Sequence, residues 1–99
     1  MNNLAVLILT KNEEKNLADT IRSVQGCTSE IIVVDSGSTD RTVQIAKELG
    51  ARVAFRAWDN DFSAQRNFAL VQTRAKWVLF LDADERPTPA LAEAIRQAT

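Results

Sequence analysis

Two carboxylates, Asp82 and Asp84, lie two positions apart directly after the apolar run 77–81. In a bent segment leaving a strand, both side chains can reach one small volume, where two unneutralised anions would repel each other. A hard divalent cation such as Mg²⁺ or Mn²⁺ removes that repulsion and takes its other ligands from water and substrate phosphate. Since there is no histidine and only one cysteine, Cys27, such a metal must be held by oxygen. The alternative interpretation is an acidic turn that leads into the helix after Thr88.

Two further loops with hydroxyl, amide and carboxylate side chains also follow apolar runs. Their polar residues are Thr10, Asn12 and Glu13 after run 4–9, and Asp35 and Ser36 after run 31–34. The second loop lacks both the glycine spacing of dinucleotide sites and the lysine of a P-loop. On local grounds, Asp35 is comparably suited to accept a hydrogen bond from a nucleobase N–H and to brace the loop that follows it.

Four apolar runs predict the strands that carry these loops: 4–9, 31–34, 52–57 and 77–81, the third of them a weaker edge strand. Helices are predicted after each strand. Asn12 is the expected cap of the first and the loop 36–40 that of the second. The third runs from about Asp61 or Ser63 to Gln72, and Thr88 with Pro89 begins the fourth. Their expected core-facing residues are Leu17, Ile21 and Val24; Ile45, Ala46 and Leu49; Ala64, Phe68 and Val71; and Leu91, Ala94, Ile95 and Ala98. Trp58 and Trp77 are expected to be packing residues rather than stacking platforms.

Strict alternation of strand and helix predicts an α/β fold, with a mainly parallel sheet of four strands in a three-layer, Rossmann-like arrangement. If the strand order is 3-2-1-4, the three polar loops are neighbours at the carboxyl edge of the sheet, where open α/β sheets bind ligands. This position favours the metal interpretation of Asp82 and Asp84 over the plain acidic turn. Nothing within residues 1–99 indicates a second domain.

The charge balance and the lengths of the apolar runs exclude further classes of function. Twelve Lys and Arg balance thirteen Asp and Glu, and no basic run is present, so nucleic acid is not an expected partner. The longest apolar runs, 4–9 and 77–81, are far too short to span a bilayer, and neither has the flanking residues of a signal peptide. We therefore expect a soluble, cytoplasmic protein.

The segments LILTKNEEKNL, EIIVVDSGSTDRT, FSAQRNFAL and WVLFLDADE, taken together, resemble the successive motifs of family 2 glycosyltransferases of the GT-A fold. TKNEE and DSGSTD are most similar to bacterial members of the lipopolysaccharide core glucosyltransferase type. The resemblance covers nearly the whole chain and implies the nucleotide-sugar-binding part of a longer domain, truncated at its C-terminus. It implies inverting transfer of a sugar from a nucleoside diphosphate sugar, expected to be a UDP-sugar, to a glycan, lipid or protein hydroxyl in cell-envelope synthesis.

The resemblance also implies roles for individual residues. Thr10 and Asp35 would contact the base with Arg66 nearby, Asn12, Glu13 and Ser36 would belong to the nucleotide-sugar pocket, Asp82 would meet ribose and metal, and Asp84 would bind the metal. Arg66 lies off the predicted apolar stripe, so its side chain faces solvent or a cleft. No catalytic residue is assigned, because the base that deprotonates the acceptor would lie beyond Thr99. The resemblance leaves open a dimer, and peripheral membrane association at the inner face of the cell membrane.

Two rival interpretations use the same acids differently. Haloacid dehalogenase-like phosphatases also place D-x-D at a strand end, but they have Thr or Val two positions later, where this chain has Arg86 after Glu85. A receiver-like signalling module would use Asp35 as its phosphoacceptor. It needs a lysine after a later strand, and no lysine follows Lys76.

Overall fold

The computed structural model describes residues 3–99 and contains four strands that alternate with four helices. In chain order they are β1 (Leu4–Thr10), α1 (Leu17–Val24), β2 (Glu30–Asp35), α2 (Thr42–Glu48), β3 (Arg52–Phe55), α3 (Phe62–Leu70), β4 (Trp77–Asp82) and α4 (Pro89–Ala98). The α/β fold is therefore confirmed. None of the helices within the described range is long and apolar enough to cross a membrane.

The four strands form one parallel sheet in the order β3-β2-β1-β4, which is the order that makes the three polar loops neighbours. The weak third strand lies at an edge, where a short strand is best tolerated. The register pairs Thr10 with Asp35, and Leu9 with Asp82. Because all strands run in the same direction, the three polar loops leave the sheet side by side at its carboxyl edge.

The core lies on both faces of the sheet because successive β1 side chains point to opposite sides. On one face Leu4, Val6 and Ile8 pack with α1, α2 and α4; on the other Ala5 and Leu7 pack with α3. The predicted α1 stripe of Leu17, Ile21 and Val24 is fully buried, and full burial of such side chains stabilises the fold by about 1.5–3 kcal/mol each. This two-sided burial explains why β1 is apolar along its length.

The predicted start of the first helix is wrong. α1 begins at Leu17 with Asn16 at the N-cap position, and residues 13–16 form a hydrogen-bonded turn before it. Asn12 has a positive φ of 55°, and its side-chain oxygen accepts a hydrogen bond from the Thr39 backbone N–H at 2.7 Å. The side chain that was expected to cap its own helix instead binds the neighbouring loop, a contact that sequence spacing does not encode.

Two of the predicted helix faces need correction. In α3, Val71 is 78% exposed because the helix ends at Leu70 and the chain turns away from the sheet, while Gln65 and Ala69 are buried. In α4, Leu91 is 52% exposed, and Ala94 and Ala98 are also exposed. This helix meets the core only through Ala92 and Ile95 at one side.

The predicted start of α4 at Thr88 is confirmed, and α3 begins after Asp61, the earlier of its two predicted starts. Asp61 caps α3 by accepting a hydrogen bond from the Ala64 N–H at 2.9 Å. Thr88 caps α4 by accepting one from the Leu91 N–H at 3.1 Å, with Pro89 in the first helical turn. Both caps satisfy N–H groups that a helix start leaves unpaired.

Candidate functional site

The acidic turn, residues 82–85, follows β4 and is anchored at its middle residue. Ala83 is only 2% exposed, and its carbonyl accepts a hydrogen bond from the buried Thr20 hydroxyl at 2.6 Å. The Glu85 N–H donates to the Asp82 carbonyl at 3.0 Å, and the Glu85 carboxylate accepts from the Asp82 N–H at 2.6 Å. With Ala83 held inward, Asp82 and Asp84 on either side of it are both exposed.

The donor set of this turn suits a cation shared with a substrate. Within residues 3–99, the carboxylates of Asp82 and Asp84 accept no hydrogen bond and form no ion pair, so their lone pairs are available. No group of three or more His, Cys, Asp or Glu side chains in the described part of the chain could enclose a metal by itself. Two carboxylates fit Mg²⁺ or Mn²⁺, which commonly complete their shells with water and substrate phosphate.

The Asp35 carboxylate is buried between the first two loops and is fully used there. It is 2% exposed and accepts hydrogen bonds from the hydroxyls of Thr10 at 2.8 Å and Ser38 at 2.6 Å, and from the N–H groups of Gly37 at 3.0 Å and Ser38 at 2.8 Å. Burial, the largest influence, raises the pKa of Asp35, but these hydrogen bonds outweigh it and lower the pKa below its ordinary value. Asp35 thus braces its loop, and a nucleobase N–H could reach the carboxylate only by displacing one of these donors.

Further hydrogen bonds join the first loop to the second. The Asn12 N–H donates to the Ser38 hydroxyl at 2.8 Å, and the Glu13 N–H donates to the Thr42 hydroxyl at 2.8 Å. Ser36 donates to the Thr10 carbonyl from both its N–H and its hydroxyl, each at 3.0 Å. Asn12 and Glu13 therefore act in this structure as links between the two loops.

A cleft of about 310 Å³ opens between these loops and the segment that joins β3 to α3. The structure places three predicted site residues on its wall: Thr10, Ser36 and Asp82. Lys11, Trp58 and Phe62 also line it and were not among the predicted site residues. The two loops and the acidic turn thus share one concave surface, which is the usual form of a small-molecule site.

Arg66 borders a smaller adjoining cleft of about 200 Å³ that shares Asp82 and Phe62 with the first. Its guanidinium lies over the Phe80 ring, 4.4 Å from the ring centroid, in a cation–π contact. The remaining predicted site residues, Asn12, Glu13, Asp35 and Asp84, do not line either cleft.

The expectation that both tryptophans are packing residues is wrong. Trp58 is 37% exposed on the wall of the larger cleft, and its indole N–H donates to the Asn60 side chain at 3.1 Å. Trp77 is 47% exposed at the start of β4, at the opposite edge of the sheet. Trp58 lies in a polar loop with no apolar periodicity. Its position on the cleft wall therefore could not be predicted from the neighbouring residues.

A third, shallow cavity of about 550 Å³ lies at the amino edge of the sheet, next to Asn3, Ser29 and Arg74. Its wall includes the partly exposed pair of Arg52 with Glu30. It is larger than the clefts at the carboxyl edge, but none of the candidate site residues reaches it. The candidate site residues that line a cavity therefore line the two smaller clefts at the carboxyl edge.

The matching family model and two relatives of this chain are described as glycosyltransferases. Residues 5–98 match the family model described as glycosyl transferase family 2. An uncharacterized glycosyltransferase of Rickettsia typhi is 44% identical over 95 residues, 96% of this chain and 32% of the relative. The SPbeta prophage-derived glycosyltransferase SunS of Bacillus subtilis is 39% identical over 79 residues, 78% of this chain and 19% of the relative. The chain thus spans about a third or less of these curated relatives.

Solved structures agree with the sequence relatives. Glucosyl-3-phosphoglycerate synthase from Mycobacterium tuberculosis in complex with UDP has a TM-score of 0.76 at 30% identity, with 87% of this chain and 35% of that chain covered. The same enzyme in complex with Mn²⁺, UDP and glucosyl-3-phosphoglycerate gives a TM-score of 0.75 at 30% identity, over 87% and 35% of the two chains.

Asp35→Asn should lower the free energy of unfolding at neutral pH by about 1–3 kcal/mol, because a buried hydrogen-bonded carboxylate is lost. Since the folded-state pKa lies below its ordinary value of 3.8, the carboxylate stabilises the fold above that value, and its contribution disappears as the pH falls through the lowered pKa. Urea unfolding between pH 7 and pH 2 should show the two proteins converging in acid. Asp19→Asn, an exposed control, should change stability by less than about 0.5 kcal/mol. If the free energies of unfolding of Asp35→Asn and the unmodified protein changed in parallel with pH, the bracing role of the Asp35 carboxylate would be contradicted.

Thr20→Val should loosen the acidic turn, because it preserves side-chain shape but leaves the buried Ala83 carbonyl without its donor. A destabilisation of about 1–3 kcal/mol is expected, with faster amide hydrogen exchange concentrated at residues 83–85. Thr20→Ser keeps the hydroxyl and should retain slow exchange in the turn even if it loses some packing energy. The anchor would be refuted by equal exchange in the Val variant and the unmodified protein.

Proposed function

The chain belongs to glycosyl transferase family 2, and from this premise we propose that the protein transfers a sugar from a UDP-sugar to an acceptor hydroxyl with inversion. The observation that carries the proposal is the exposed pair Asp82 and Asp84, held outward by the buried anchor at Ala83, with Asp82 on the wall of the cleft. The M. tuberculosis enzyme that this chain resembles is described with UDP and Mn²⁺ bound, which supports the same donor and metal class here.

In this proposal the nucleoside occupies the larger cleft. Thr10 and Ser36 supply polar atoms on its wall, and Asp35 holds the Thr10 hydroxyl from behind at 2.8 Å. Asp82 borders both clefts, so it lies between the nucleoside and the side of the site where Arg66 lies. Asn12 and Glu13 keep the two loops together. These residues bind and orient the donor, and they fix the point at which its diphosphate leaves.

Asp82 and Asp84 would hold the divalent cation, Mg²⁺ or Mn²⁺. When bound, such a cation neutralises charge on the departing diphosphate. The contribution of the chain is to keep both carboxylates exposed and at the carboxyl edge of the sheet, through the Ala83 anchor and the Glu85 turn. Preorganised charge of this kind costs little rearrangement during reaction.

Inverting transfer joins the acceptor oxygen to the anomeric carbon as the bond from that carbon to the diphosphate breaks, and the hydroxyl proton passes to a base. We assign no base among residues 3–99 and propose that it lies past Thr99, because the chain spans only 32% of its Rickettsia relative. We place the reaction in the cytoplasm at the inner face of the cell membrane, with a glycan, lipid or protein acceptor in cell-envelope or lipopolysaccharide synthesis. The support for that setting is the resemblance of the TKNEE and DSGSTD motifs.

The rival roles suit the geometry less well. A phosphoacceptor must be open to a phosphoryl donor, whereas Asp35 is 2% exposed and its carboxylate already accepts four hydrogen bonds. A phosphatase would use Asp82 as its nucleophile, but the family match covers residues 5–98 and includes the acidic turn. Neither rival accounts for the cleft that joins all three loops.

Asp84→Asn in the full-length protein should lower sugar transfer by roughly 10²- to 10³-fold, because removal of one formal charge weakens the hold on cation and diphosphate. Raising Mn²⁺ should recover part of that loss. The measurement is the transfer rate across a Mn²⁺ titration, beside the melting temperature. Glu48→Gln removes one exposed charge from the end of α2 and should change neither. Near-normal turnover of Asp84→Asn with a lowered melting temperature would make the acidic turn merely structural.

A further inference from the structure

Two aromatic side chains on the wall of the larger cleft, Trp58 and Phe62, belong to neither core cluster and have been assigned no function so far. We propose that Trp58 and Phe62 form an aromatic wall that stacks on the face of the donor nucleobase, an inference that rests on the proposed nucleotide-sugar function. The wall would supply affinity for a planar ring, while the polar residues that line the same cleft would select among bases.

The exposure of this wall is unusual for its residue types. Phe62 is 68% exposed and Trp58 37% exposed, and their rings meet edge to face with centroids 4.8 Å apart at an interplanar angle of 70°. The indole N–H is already satisfied by the Asn60 side chain at 3.1 Å. Neither ring belongs to the two core clusters. One face of one ring meets the edge of the other, and the rest of their exposed surface is available to a ligand. Because the rings are inclined at 70°, a planar base can lie parallel to one ring while it contacts the edge of the other. Contiguous exposed apolar surface commonly marks a binding site.

The loop that carries Trp58 is held in place before any ligand arrives. The Arg56 guanidinium makes two hydrogen bonds to the Asp59 carboxylate, at 2.8 and 3.2 Å, and a third to the side-chain oxygen of Gln65 at 2.9 Å. Gln65 is 2% exposed on α3, so this network ties the loop to a buried point of the helix. Asp61 ends the loop by capping the same helix. A wall fixed in this way loses little conformational entropy when a ligand binds.

The lining of the same cleft also has the polar character that the edge of a nucleobase requires. Thr10 and Ser36 line the same cleft as the aromatic pair, and both carry hydroxyls. A nucleobase has two apolar faces and a rim of hydrogen-bonding atoms, so it matches an aromatic surface beside hydroxyl groups. A sugar of the donor lies beyond the diphosphate, which the proposed function places at the acidic turn. The observations thus favour the base over the sugar as the occupant of the wall.

Calorimetric titration of the full-length protein with uridine, UDP and UDP-glucose tests the wall. Trp58→Leu should weaken uridine and UDP binding by the same factor, about 10-fold, the size expected for loss of a base–aromatic stack. That factor should not depend on Mn²⁺. Trp58→Phe should recover most of the affinity because it keeps an aromatic face. Trp77→Leu, a matched exposed tryptophan at the other edge of the sheet, should leave binding unchanged, and uridine should still quench Trp58 fluorescence in that variant.

The contrary outcomes separate the wall from the proposed function. Unchanged uridine affinity in Trp58→Leu, with UDP still bound in a metal-dependent way, would overturn the wall and leave the function standing. A loss confined to UDP-glucose would assign the wall to the sugar and overturn base stacking. Absence of UDP binding by the unmodified protein with Mn²⁺ would overturn both.

Discussion

The parallel pairing of β1 with both of its neighbours is the constraint on which the site depends. Because Thr10 is in register with Asp35, and Leu9 with Asp82, the ends of three strands coincide. Positions 10, 35 and 82 then lie side by side at the carboxyl edge of the sheet without any long loop to order. A slip of one residue between β1 and β4 would turn the alternating β4 side chains to the other face of the sheet. The two-sided core of β1 prevents such a slip, so the packing that stabilises the fold also aligns the site.

Buried polar contacts convert this alignment into fixed geometry. The Thr10 hydroxyl and the Asp35 carboxylate join the ends of β1 and β2, and the Thr20 hydroxyl holds the acidic turn at Ala83. No buried side-chain nitrogen or oxygen among residues 3–99 lacks a hydrogen-bond partner. Since an unsatisfied buried polar group costs about 1–3 kcal/mol, each contact favours one loop arrangement over its alternatives. The exposed carboxylates are therefore displayed on a rigid support.

The sequence predicted the alternation of strands and helices, and the polar loops that follow the strands, because both follow from local patterns. Apolar runs such as 31–34 and the cap at Thr88 are properties of a few adjacent residues. The predictions that were wrong concern features that depend on contacts with residues outside the local pattern. Asn12 binds Thr39 across the loops instead of capping α1. The buried face of α3 includes Gln65, whose partner Arg56 lies in the loop before that helix. The place of Trp58 on the cleft wall likewise depends on that contact and could not be read from its neighbours.

The central claim is that the acidic turn and the cleft form one donor site, with the cation at Asp82 and Asp84 and the nucleoside between the first two loops. A crystal structure of the full-length protein grown with UDP and Mn²⁺ tests it most directly, because Mn²⁺ can be located by its anomalous scattering. We expect an anomalous peak at the carboxylates of the acidic turn, in contact with the diphosphate, and the uracil beside Thr10 and Ser36. Mn²⁺ bound away from both carboxylates, or UDP bound outside the cleft, would contradict the account.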